Sequence, residues 1–372
     1  TNKKARFTNF VDSLFMVNGT EAMASWNGDA GTAFSTSTNV TSAPTAYYID
    51  NFRSRVWAAK TDTNPSRLYY SSIASATYTI AWTGSVGEGY IDISPLDGED
   101  ITGIKRFESA LYAFKPNALY KIFSINETNP NPISSIGTYS QESVVVAKDG
   151  MYWHHSSGIY KMSGGVPQEI SRPVYDIIKN IPSSYYDDVS AIVDDDHVTF
   201  FVGSVTISGI TITNCALRWT ISTQLWTVYS HAPAIVIGAQ YDTGSAVTRV
   251  VGDNDGNVYT YDSGQTDNGS AINYELETKW YNISGLRADA KTIRRLSALS
   301  ENAQGAQLGW RNGTMQKNEI QPIGSLSKQE SIFDNQRIRG NRFRFSVRGT
   351  SVGTPMIFQG WEILDWINEG II

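Results

Sequence analysis

The stretch FESALYAFKPNALYKIFSI, residues 107–125, states one pattern twice: Leu111-Tyr112, a Pro116-Asn117 corner, then Leu119-Tyr120. Two short aliphatic and aromatic runs around a turn dipeptide predict a β-hairpin, because such side chains fit a pleated, half-buried surface and Pro-Asn fits a turn. The pattern recurs. Residues 54–72 carry Val56-Trp57 and Leu68-Tyr69 around Asn64-Pro65, and residues 149–165 carry Met151-Tyr152 and Ile159-Tyr160 around Ser-Ser-Gly. Residues 248–264 carry Val250-Val251 and Val258-Tyr259 around Asp-Gly, and residues 197–219 repeat the idea with longer arms, followed by the strand LWTVYS. A weaker copy, DSLFMVNGTEAMASWNG, stands at 12–28.

The first strands of these hairpins start near Leu14, Val56, Leu111, Met151, Val198 and Val250, in steps of 42, 55, 40, 47 and 52 residues. Short strands recurring every 40–50 residues give the period of a β-propeller blade. One such sheet cannot cover both of its own faces, whereas six in a ring can. The sequence therefore predicts an all-β fold: a six-bladed β-propeller over 1–270, with five or seven blades as alternatives. A sandwich is the other all-β option, and the uneven period disfavours a solenoid. Further strands, TAYYID and SVVVAK, lie between hairpins. The best helical signal is SRPVYDIIKNI, 171–181, with Val174, Ile177, Ile178 and Ile181 at helical spacing and Pro173 in the first turn, enough for one or two turns.

Composition agrees. Of 372 residues 41% are hydrophobic, enough for a large core, and only 18% are charged, below the ~25% usual for soluble domains. No apolar run approaches the ~20 residues that span a bilayer, and no secretory signal is visible. The lone Cys215 cannot form an internal disulfide and reads as a small core residue. Packing and sheet hydrogen bonds must hold the fold.

The Tyr-Asp hairpin rhythm stops after Gly264. From Glu277 to Arg348 there are 13 Lys plus Arg against 6 Asp plus Glu, a net +7; the remainder holds 17 against 30, a net −13. KTIRRLSALSEN, AQLGWRNG, RFRFSVRG and MIFQGWEILDWI still read as strands. Residues 271–372 are therefore expected to form a C-terminal antiparallel sandwich or sheet, part of which closes or abuts the propeller. In RFRFSVRG, Arg342, Arg344, Ser346 and Arg348 should share one face and Phe343, Phe345 and Val347 the other. Arg287, Lys291, Arg294, Arg295, Arg337, Arg339, Arg342, Arg344 and Arg348 form the candidate surface for a protein or nucleic-acid partner, against a plainer reading as solvated strand faces.

Catalysis and metal binding find little support. Asp253-Asn254-Asp255-Gly256-Asn257 resembles the start of a calcium loop but lacks a Glu at the twelfth position, where Gly264 stands, so a type I′ Asp-Gly turn is the reading adopted. Three adjacent acids, Asp194 to Asp196, point alternately and read as a solvated loop; His154 and His155, neighbours on a strand, cannot easily share an ion. No Ser-x-Asp-x-Gly-x-x-Trp box, G-x-S-x-G elbow or phosphate-binding P-loop occurs, and WD40 and kelch signatures are missing. The sequence predicts no catalytic, cofactor or metal site and no enzyme.

Residues 89–123 and 137–165 together carry Asp97-Gly98, Ile101-Thr102-Gly103, Leu111 to Lys115, Leu119-Tyr120, Gly137 to Val144 with its Gly-x-x-Ser-x-x-Ser-Val spacing, and Gly158-Ile159-Tyr160. This succession resembles a recurrent segment of virion propeller proteins of tailed bacteriophages, nearest to the tail hub (packaged-DNA stabilisation) and nozzle proteins of short-tailed phages. Ser66 to Ser71 and Leu14 to Gly19 also fit. The likeness covers about residues 10–180 and is loose beyond. It implies a structural protein of the virion tail, made in the host cytoplasm and present in several copies around the DNA exit axis. Its partners would be copies of itself, an adaptor or portal ring, fibres or a plug, and the passing phage DNA. The alternative is a receptor- or glycan-binding propeller at a tail tip or cell surface, with Trp57, Trp82 or Trp153 as exposed platforms. A hydrolase is a third reading and would need acids, Arg and Tyr converging at the propeller axis.

Overall fold

The computed structural model describes residues 4–371 except 76–78, 84–86, 243, 245, 265, 284–288, 304, 314–319, 327–328 and 352–355. The chain divides into two compact units, Thr1–Tyr261 and Asp262–Ile372. The division falls before the expected boundary at 270, because the last strand of the first unit ends at Thr260 and the bridge Asp267–Ser270 belongs to the stretch leading into the second.

Unit one is a run of six antiparallel sheets, each a simple meander. Sheet one comprises Arg6–Phe10, Ser13–Val17 and Ala24–Trp26. Sheet two comprises Tyr48–Phe52, Arg55–Ala59, Arg67–Tyr70 and Gly89–Asp92. Sheet three comprises Gly103–Phe107, Ala110–Lys115, Ala118–Ile122 and Pro132–Ser134. Sheet four comprises Val145–Ala147, Gly150–His155, Gly158–Met162 and Gln168–Glu169. Sheet five comprises Ser190–Val193, His197–Ile207, Ile210–Thr220 and Leu225–Ser230. Sheet six comprises Ile235–Asp242, Val247–Asp253 and Val258–Thr260. Every hairpin start read from the sequence falls on the second strand of a sheet. Sheets one and six have three strands rather than four. The expected helix is one short α-turn, Tyr175–Ile178, with Pro173 in the 3₁₀ turn before it.

These second strands explain the architecture. Side chains alternate across a strand, so one strand feeds two cores. Val56 and Ala58 join Phe15 and Val17 between sheets one and two, while Trp57 and Ala59 join Leu111 and Ala113 between sheets two and three. Tyr112 and Phe114 pack with Met151 and Trp153 between sheets three and four; Tyr152 packs with Val198, Phe200 and Leu217 between four and five. Phe201 and Ala216 meet Val251 between five and six. Cys215 lies fully buried among the sheet-five residues, its thiol pushed up to about 12 by burial, as a core residue should be. Each large side chain contributes roughly 1.5–3 kcal/mol on burial, so these shared cores dominate the cohesion. First strands lie side by side between sheets one and two, two and three, four and five, and five and six, which is the blade order of a β-propeller. Among the described residues no buried cluster joins sheet six to sheet one, and sheet six leaves Ile237, Tyr241 and Val258 exposed.

Polar staples fix neighbouring sheets. The Gln141 side chain imitates a strand: its Oε1 accepts from Ile104 N at 2.6 Å and its Nε2 donates to Ile104 O at 2.7 Å, closing the free edge of sheet three. Asp50 accepts from Arg106 N on the same edge at 2.7 Å. Lys115 is fully buried, and its Nζ meets Asp97 at 2.7 Å, Ser66 Oγ at 3.1 Å and Ser94 O at 3.0 Å. Burial would raise the Asp97 carboxyl, but hydrogen bonds from Lys115 and Glu99 N hold it below the ordinary value. Gly137 packs where a Cβ would sit 1.7 Å from the Lys115 carbonyl oxygen. Thr102 Oγ1 donates to Thr138 O at 2.6 Å, and Ser143 Oγ donates to Ser140 O at 2.8 Å while accepting from His154 N.

Unit two is an antiparallel sandwich, as expected. Sheet seven runs Ile272–Glu277, Phe343–Ser351, Ala306–Asn312, Gln321–Leu326, and sheet eight runs Glu330–Phe333, Asp289–Glu301, Ile338–Gly340, with Ile357–Ile371 also paired along Asp289–Glu301. Leu308, Phe343, Phe345 and Val347 from one sheet enclose a core with Ile293, Leu296 and Ala298 from the other.

Two mutations test the staples. Asp97→Ala strands a buried ammonium and should cost about 3–5 kcal/mol in urea unfolding, whereas Lys115→Met should cost less, because Asp97 keeps 32% of its side chain exposed and can hydrate. Gly137→Ala forces two backbone segments apart, and a loss of about 4 kcal/mol or more is expected in the same assay; a wild-type midpoint would contradict the close approach.

Candidate functional site

The basic residues singled out in the sequence do not form one surface. Arg287 lies outside the described residues. Lys291 is fully buried, with Nζ 3.3 Å from Asn282 Oδ1, so the expectation that it faces a partner is corrected: it sits on the strand side that also buries Ile293. Arg294, Arg337 and Arg339 are exposed; Arg295 is exposed and paired with Asp334 at 2.9 Å. Arg348 is exposed and paired with Glu275 at 2.7 Å.

Arg342 and Arg344 belong to a tighter group. Phe343, Phe345 and Val347 turn into the core as alternation requires, leaving Arg342 and Arg344 on the other face. In register, Arg344 stands opposite Arg311 of the neighbouring strand. Like charges directly opposite destabilise a sheet unless something intervenes. Glu277 intervenes, its two oxygens taking Arg311 Nε at 2.5 Å and Arg344 Nη1 at 3.0 Å. Trp280 carries the rest: the guanidinium carbons of Arg311, Arg342 and Arg344 lie 5.4, 4.8 and 4.9 Å from its ring centroid, within cation–π range. The sequence reading missed Arg311, Glu277 and Trp280, which stand far from RFRFSVRG along the chain; AQLGWRNG did place Arg311 on a strand, but its pairing was not legible.

Unit one holds a second polar group, where sheet one meets sheet two and the turn before sheet four. Arg6 Nε meets Glu142 Oε1 at 2.7 Å, and its guanidinium lies 4.5 Å from the centre of the Tyr48 ring. Burial is the main reason the Tyr48 phenol rises to about 12. Lys4 meets Asp188 at 2.9 Å. Arg, Tyr and acid do converge, as a hydrolase would need, but Glu142 spends its other oxygen on Ser140 Oγ at 3.1 Å and keeps only 8% of its side chain exposed. The group bridges sheet one to the turn before sheet four.

Other candidates resolve into structure. Asp253 accepts from Asp255 N, Asn257 N, Asn257 Nδ2 and the Tyr259 hydroxyl, led by Asn257 in holding its carboxyl down to about 2. Only Gly256 in that turn has positive φ, so it is not type I′. Asp194, Asp195 and Asp196 go separately to His197, Arg249 and Lys148, and no cluster that could hold a metal occurs among the described residues. Trp57, Trp82 and Trp153 are buried, which corrects their expected role as exposed platforms. A cleft of about 530 Å³ lined by residues including Asp62, Thr61, Tyr69 and Tyr90 does present aromatic and hydroxyl groups. No described helix is long and apolar enough to cross a membrane.

No family model matches the sequence, and no curated protein matches it. Solved structures with some likeness include YCF48 from Cyanidioschyzon merolae (11% identity, 70% of this chain and 82% of that one, TM-score 0.42). The AfRom2 CNH domain (10%, 69% and 80%, TM-score 0.41) and a chain of the mitotic checkpoint complex (10%, 68% and 74%, TM-score 0.41) are others.

His154 gives unit one a pH signature. Its ring is wholly buried beside Tyr186, neither nitrogen has a hydrogen-bond partner among the described residues, and burial, then His155, pulls its pKa from 6.5 to about 3. The unfolded chain takes up a proton below pH 6.5 that the native chain refuses until about pH 3, so stability should fall as pH drops through that window. Unfolding at pH 6.5 and 4.5 should show a loss that His154→Phe reduces by about 2 kcal/mol over the two pH units. An unchanged slope in the variant would show that His154 is solvated.

Proposed function

We propose that this protein is a structural component of a bacteriophage tail, of hub or nozzle type, set in several copies around the DNA exit channel, where it retains the genome and then lets it pass. The observation that carries the reading is the resemblance of residues 89–123 and 137–165, together with what those residues do. Asp97, Thr102, Lys115, Gly137 and Ser143 are all spent on tying sheets two, three and four together, so the shared segment is a stiffening device rather than a reaction centre.

The Arg6–Glu142 and Lys4–Asp188 pairs tie sheet one to the segments before sheets four and five, which supports a unit closed to a duplex rather than one threaded by it. DNA would pass between copies. The net −13 outside residues 277–348 supports a channel wall that repels phosphate and leaves DNA no binding register. An adaptor or portal ring would sit above this ring, with fibres or a plug below. The second reading, a receptor- or glycan-binding module, rests on the cleft with Tyr69, Tyr90 and Asp62.

Electron microscopy of the purified chain and of antibody-labelled particles tests the assignment. Rings of several copies, and label at a single capsid vertex, are the expected results. A chain that stays monomeric, is absent from particles and binds a glycan array would replace it with the module reading.

A further inference from the structure

Among the described residues, Arg311, Arg342 and Arg344 stand against the single Glu277, a local charge of +2 on one face of sheet seven. This face is not merely a wet strand surface, because Arg311 is only 5% exposed and Ser346 only 2%. Ser346, two residues beyond Arg344 on the same side of the strand, has a buried hydroxyl with no hydrogen-bond partner among the described residues, and the buried Nε of Arg344 likewise has none there. Buried polar atoms are mostly paired, so two orphans on one arginine-rich face leave donors for a ligand to take up. The guanidiniums lie over the Trp280 ring, and the in-plane N–H donors that Glu277 does not take, Arg344 Nε among them, are left to a ligand. Planar donor forks at fixed angles suit an oxyanion.

We propose that this cluster is a binding site for a dianionic phosphate, either the free ion or a phosphate monoester. Charge selects among oxyanions. A monoester carries about −1.5 to −2 at neutral pH and matches the residual +2, whereas a carboxylate or a phosphodiester brings a single charge. The oxyanion would span the register pair Arg311 and Arg344, with exposed Arg342 closing over it and the Ser346 hydroxyl donating from beneath. Glu277 holds the two inner arginines apart and aligned while the site is empty. The proposal is independent of a tail role and would stand if that role failed.

Calorimetric titration of the intact chain at pH 7.5 and constant ionic strength tests it, using inorganic phosphate, methyl phosphate and dimethyl phosphate. Saturable binding is expected for the first two, with the diester at least about tenfold weaker, the effect of losing one charge-assisted contact. The stronger of the two dianions identifies the free ion or the ester as the natural form. Arg342→Ala should weaken binding about tenfold with an unchanged unfolding midpoint. Glu277→Gln, which removes the competing carboxylate, should tighten it. Arg53→Ala, an exposed arginine of unit one, should do neither. No saturable heat, equal affinity for mono- and diester, or equal effects of Arg342→Ala and Arg53→Ala would overturn the proposal.

Discussion

A strand whose two faces are both apolar needs cover on both sides, and unit one is built from strands of that kind. Arg55–Ala59, Ala110–Lys115 and Gly150–His155 are buried at every position. None can form the surface of a two-layer sandwich, where one face of each sheet meets water. The only arrangement that serves all three sets sheet beside sheet, each core shared by two neighbours. Trp57 and Val56 thus belong to different cores although they are adjacent in the chain. The constraint relaxes at the ends of the series. Sheets one and six have three strands, and sheet six keeps apolar side chains exposed, because no described core lies beyond it.

Apolar burial supplies the cohesion, but it fixes neither the spacing nor the angle between sheets. Those are set by polar groups with one correct position. The Gln141 amide fits only an unpaired strand edge, and Gly137 allows one backbone to approach another more closely than any side chain would permit. Lys115 is costly to bury and is tolerated because Asp97, Ser66 and Ser94 surround its ammonium. Its net worth to stability is small beside Trp57 or Tyr112. Its effect is to hold the Asp97-Gly98 link in one place between two sheets.

Much of this was legible in the sequence because it is periodic and local. Leu-Tyr pairs reported the second and third strands, and the spacing of Leu14, Val56, Leu111, Met151, Val198 and Val250 reported the number of sheets. Alternation in RFRFSVRG reported which side of that strand is core. Whatever depends on pairing between distant strands was not legible. Lys291 reads as one more surface cation in a basic run, yet it alternates inward with Ile293. Trp153 reads like Trp280, and only the neighbouring sheet decides that the first is covered and the second stacks on arginines.

The two units use charge in opposite ways, and this bears on what each can do. In unit one the cations highlighted above are consumed: Lys115 by Asp97, Arg6 by Glu142, Lys4 by Asp188. Such pairs tie elements together and leave little residual field for a ligand. Unit two holds 13 Lys plus Arg against 12 Asp plus Glu, so the imbalance there is local: register places Arg311 and Arg344 against each other, where repulsion is strongest, with Glu277 as the acid paired to both. A sheet selected for stability alone would carry an acid at one of those positions. Retaining arginine at both, with a tryptophan to support them and a single glutamate to separate them, makes sense for a surface whose balancing charge comes from outside the chain.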